Sequence, residues 1–111
     1  MKLLEILFAS VLLVSPAMSE DTAAMRAARL RFGQVSTRAV ANFRSADTIE
    51  ARLRAQGSTL HPTLISLRLR IESALDKAEA ALAKDDLKTA REQTKIAEGM
   101  LDKFARKLGG D

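Results

Sequence analysis

From Met25 onward, apolar and small residues recur at alternating spacings of three and four, and they do so in three runs. The first is Met25, Ala28, Phe32, Val35, Ala39, Asn42, Ala46, Ile49 and Leu53. The second is Leu60, Leu64, Leu67, Ile71, Ala74, Ala78 and Ala81, broadened by Ile65, Leu75 and Leu82. The third is Leu87, Ala90, Thr94, Ala97, Leu101, Phe104 and Leu108. This spacing lines one side of an α-helix, and strict three-four alternation is the seam of helices packed side by side.

Each run carries its own punctuation. Gly57 supplies a C-terminal stop for the first. Ser58, Thr59 and Pro62 mark the start of the second, because proline is tolerated in a first turn where no intrahelical donor is needed. Asp85 or Asp86 caps the third, and Gly109-Gly110 ends it. The pattern predicts helices over 21–56, 60–83 and 86–108. Only Lys84 to Asp86 separates the last two, so they fold back as a tight antiparallel hairpin. The fold class is all-α: a small helical bundle with a long basic first helix packed on a C-terminal helical hairpin. Ser45 and the pair Asp47-x-x-Glu50 look like capping signals within the first run. A break there gives the alternative, a four-helix bundle. Against it, the seam passes from Asn42 through Ala46 to Ile49 without a slip, and no Gly or Pro lies nearby.

Residues 1–19 read differently. The run Ile6 to Val14 is apolar apart from Ser10, follows Lys2, and ends at Pro16. A spanning helix needs ~20 apolar residues, whereas a secretory h-region needs ~7–15. Ala17-Met18-Ser19 is a small-x-small site, and Glu20-Asp21 makes an acidic start beyond it. The expectation is a cleaved signal peptide over 1–19 and one domain over 20–111, placed in the periplasm or secreted. No Cys follows the h-region to carry a lipid anchor.

Composition narrows the chemistry. The chain has no Cys, Trp or Tyr, so packing alone must hold the fold. Lys and Arg number 18 against 14 Asp and Glu, a net charge of +4. The excess sits early: Glu20 to Gly57 holds seven Arg, no Lys and four acids. One histidine, His61, cannot make a zinc site without Cys or a nearby carboxylate cluster, and its place beside Pro62 is a capping position. The sequence has no C-x-x-C-H motif, so haem would need His61 with Met25 or Met100 as an axial pair; seam methionines are more simply gap-fillers. Asp85-Asp86 reads as a cap, and Glu72/Asp76 as a solvated face. There is no Ser-His-Asp or Cys-His arrangement to argue and no glycine-rich phosphate loop. The expectation is a non-enzymatic protein without cofactor or metal.

Two surfaces are candidates for function. Arg26, Arg29, Arg31 and Arg38 could form an anion-binding face for acidic partners or lipid head groups. The plainer reading pairs them with acids on neighbouring helices. Nucleic acid fits poorly, because no aromatic platform for bases is present. The second surface follows from lengths. At 1.5 Å per residue the first helix reaches ~54 Å and each hairpin helix ~35 Å. An overhang then exposes Met25, Ala28, Phe32 and Val35 as a partner-binding stripe, in a homodimer or against another protein. The function expected is binding of a protein through helix faces. The alternatives are a membrane-surface protein on anionic lipid and a small-ligand or haem carrier. Asn42 and Thr94 are polar residues in apolar seams, the kind that set register.

Overall fold

The computed structural model describes the backbone of residues 2–110 and the side chains of residues 22–110. The expected cleavage site after Ser19 lies outside the described side chains. Three helices follow one another: α1 (Lys2–Ala55), α2 (Pro62–Ala83) and α3 (Leu87–Leu108). Strands are absent among the described residues. The bundle is all-α, as the periodicity predicts, with α2 and α3 closely packed.

One boundary differs. The α1 backbone starts at Lys2 rather than near residue 21. Leu3, Leu4, Ala9, Leu12, Leu13 and Ala17 have high helix propensity, and the helical backbone continues through Pro16, which the pattern takes as a stop.

The helix does not break at Ser45, and the reason is where the capping-type side chains go. Asp47 accepts from the Arg68 guanidinium of α2 at 2.7 Å. Glu50 pairs with Arg54 one turn on, at 3.5 Å. The Thr48 hydroxyl donates back to the Arg44 carbonyl at 3.1 Å. None of the three is spent on an orphan backbone N–H, so the helix continues to Ala55.

The ends are closed as expected. Gly57 adopts φ 78°, its N–H donates to the Arg54 carbonyl, and the Ser58 N–H donates to the Leu53 carbonyl at 2.7 Å. This doubly bonded left-handed stop satisfies two of the last free carbonyls. The same motif closes α2, but with Asp85 at φ 57° in the position glycine usually takes. The His61 Nδ1 accepts from the Thr63 N–H at 3.1 Å, so the single histidine caps α2. Asp86 caps α3 by accepting from the Thr89 N–H at 3.2 Å.

The core is uneven along the bundle. At the Gly57 end, Val35, Leu60, Leu64, Leu67, Ile71, Leu101 and Phe104 form the main cluster with Phe43, Ile49 and Leu53 packed on it. At the hairpin-turn end the cluster is smaller: Ala28, Ala81, Leu82 and Ala90, with Met25, Phe32 and Leu87 against them. Towards the hairpin turn, buried alanines at 74, 78, 81, 90 and 97 put mostly small side chains between α2 and α3. Interaxial distance follows the side chains at the contact, so this pair lies close.

Candidate functional site

The overhang expected from helix lengths does not occur at Met25. Ala28 and Val35 are buried, and Met25 and Phe32 pack against the cluster of Ala28, Ala81, Leu82 and Ala90. The stripe Met25, Ala28, Phe32, Val35 is therefore core, not a free partner-binding surface. Counting helix residues omitted two pieces of chain. The Gly57–His61 connection is not helical, carries the chain further per residue than a helix does, and buries Leu60. The Lys84–Asp86 turn, flanked by Leu82 and Leu87, covers the other end.

The four arginines separate in the same way. Arg29 reaches the hairpin turn, donating to the Leu82 carbonyl at 3.3 Å and approaching Asp85 at 3.5 Å. Arg31 pairs with Glu98, and Arg38 pairs with Asp102 at 2.5 Å, both on α3. These carboxylates neutralise three of the four expected anion-binding cations. Exposed pairs of this kind contribute only ~0–1 kcal/mol each, so they orient α1 on the hairpin more than they hold it there. Arg26 is exposed and has no ion pair among the described residues.

A cluster that the seam pattern does not reveal lies between α1 and α2. The Arg68 guanidinium sits 4.6 Å from the centroid of the Phe43 ring while bonding Asp47 and, at 3.3 Å, Glu72. Phe43 in turn meets Phe104 edge to face, with centroids 5.4 Å apart. The hydrogen bond that the Arg68 guanidinium donates to Asp47 is the main reason its pKa lies above its ordinary value. The only sequence signal was Phe43, an aromatic one step off the first seam. Its charges pair with one another and join α1 to α2, which makes the cluster architectural.

The fold leaves exposed aliphatic side chains on all three helices, and those on α1 lie on its outward side. Leu30 is 65% exposed and Val40 49% exposed. Between them Gly33 leaves a shallow depression bordered by Arg29, Leu30, Gln34 and Thr37. A Cβ on Gly33 would meet nothing within 4 Å, so internal packing does not require glycine there. On α2, Leu69 is 63% exposed and Ile65 47%. Sequence reasoning missed Leu30 and Val40 because it followed only the seam.

Among the described residues, no three His, Cys, Asp or Glu gather into a metal-binding group. No helix among them is long and apolar enough to cross a membrane. Comparison with family models, curated proteins and solved structures gave no match, so the functional reading comes from this chain's own residues.

Proposed function

We propose that the chain is an exported, non-enzymatic helical protein that binds a protein partner along the outward face of α1. The observation that carries this reading is the sequence Leu30, Gly33, Thr37, Val40 at helical spacing, with both large aliphatic side chains in solvent. Glycine inside a helix costs ~1 kcal/mol relative to alanine. At Gly33 no neighbouring atom repays that cost from within the fold. A close-approaching helix or strand from a partner would. The export half of the reading rests on the apolar run Ile6 to Val14 and the Ala17-x-Ser19 site.

The membrane-surface reading has less support. Arg29, Arg31 and Arg38 each face a carboxylate, which lowers the positive field an anionic bilayer would meet. The experiment is recovery of a C-terminally tagged chain from native envelope fractions, with intact-mass measurement and a Leu30→Asp/Val40→Asp variant alongside. A chain beginning at Glu20 that retains a discrete partner, or a second copy, supports the reading, provided the double variant releases it at unchanged melting temperature. A chain beginning at Met1, or a variant that keeps the partner, would overturn the corresponding half.

A further inference from the structure

A second feature is independent of the α1 outward face. On the α1–α3 side, a groove of about 260 Å³ is lined by Ala28, Arg31, Arg91, Thr94, Lys95 and Glu98. Arg91 and Lys95 stand one helical turn apart on α3, and Arg31 faces them from α1. Three cations thus meet one carboxylate. Glu98 is already engaged by Arg31, and neither Arg91 nor Lys95 has an ion pair among the described residues. The groove is not simply a solvated charge run, because Ala28 and Thr94 beneath it are buried. Charges that converge over a buried floor repel one another with less screening than charges spread on a convex surface. An anion seated there relieves that repulsion.

We infer that this groove binds a small multivalent oxyanion of the phosphate type. The Arg91 guanidinium offers a planar fork that matches two oxygens of a tetrahedral anion, Lys95 adds a mobile point charge, and the Thr94 side chain adds a hydroxyl at the floor. Arg31 holds Glu98, so the one lining carboxylate has a cation of its own. The same chemistry could arrive as a soluble phosphate compound or as a lipid phosphomonoester head group.

The test is calorimetric titration of the purified chain with inorganic pyrophosphate at fixed ionic strength, with NMR amide shifts to locate the contact. Saturable binding with shifts centred on Ala28, Thr94 and Lys95 is expected. Removing two charged hydrogen-bond donors in Arg91→Gln/Lys95→Gln should weaken it at least about tenfold. Lys103→Gln/Arg106→Gln, which removes the same charge elsewhere on α3, should leave it unchanged. Phosphatidylcholine vesicles carrying phosphatidic acid distinguish the source. Vesicle binding lost in the groove variant identifies a head group; pyrophosphate binding without vesicle binding identifies a soluble ligand. No saturable binding, or equal weakening in the control variant, overturns the inference.

Discussion

Asn42 occupies a seam position of α1, and its buried Nδ2 finds no hydrogen-bond partner. An unsatisfied buried donor carries a desolvation penalty of ~1–3 kcal/mol. Asn42→Leu is therefore expected to stabilise the protein by about 1–2 kcal/mol, read as a higher urea midpoint at unchanged slope. A lower midpoint would mean that the amide makes a hydrogen bond in solution, for instance to a bridging water. Phe104 is the opposite case. It is 1% exposed and meets both the leucine core and the Phe43 ring. Phe104→Ala should cost about 3–5 kcal/mol, a large share of the ~5–15 kcal/mol that holds a typical domain. A loss no larger than that of a surface substitution would remove Phe104 from the core. Single residues also show where sequence reading stops. Phe104 and Leu101 were legible because burial follows periodicity. That Arg31, Arg38 and Arg29 pair with acids on neighbouring helices was the plainer reading, but the particular acids were not legible, because they lie 67, 64 and 56 residues away and only the fold brings them together.

Helices and their ends were the most legible level, since caps act locally. Gly57, Pro62 and Asp86 each satisfy or spare backbone groups within a few residues, and each marks its boundary in the chain. The capping signals at Ser45 to Glu50 misled in type but not in outcome. Asp47 has a tertiary use on Arg68 that no local rule contains. The α3 cap makes a pH prediction. Thr89, first through its side chain and then through its amide, holds the Asp86 carboxyl below its ordinary value of 3.8. A depressed folded-state pKa means the contribution is fully present above the unfolded value and disappears as pH falls through the folded one. Melting temperature should thus decline below pH ~4, where the unfolded-state carboxylate titrates. Asp86→Asn keeps a capping side chain without the ionisation. Its melting curve should lie closer to wild type at pH 2.5 than at pH 6. A gap that stays constant across this range would show that Asp86 does not supply the dependence.

For the whole molecule, the periodicity predicts three helices, but α1 runs back to Lys2 and the stripe expected to be free is packed. Length arithmetic exposed Met25 to Val35 because it gave the connections no length, whereas the Gly57–His61 segment and the Lys84–Asp86 turn extend the hairpin over that stripe. The outward side of α1 is open instead, with Leu30 and Val40 exposed on it. Gly33 on α1 and Gly99 on α3 separate stability from binding. Both are helical, and a Cβ on either meets nothing within 4 Å, so each Gly→Ala change should stabilise by ~1 kcal/mol. Gly33→Ala should also weaken partner retention, while Gly99→Ala should not; equal retention by both would detach the glycine from docking. The most direct test of the central claim is photo-crosslinking in native cells, with the reactive side chain placed at Thr37 and, as a control, at Glu92 on α3. Both positions are non-core, but only Thr37 borders the Gly33 depression. If a partner docks on this face, Thr37 gives a discrete protein adduct that Leu30→Asp abolishes, and Glu92 gives none. An adduct from Glu92 with none from Thr37 would contradict it.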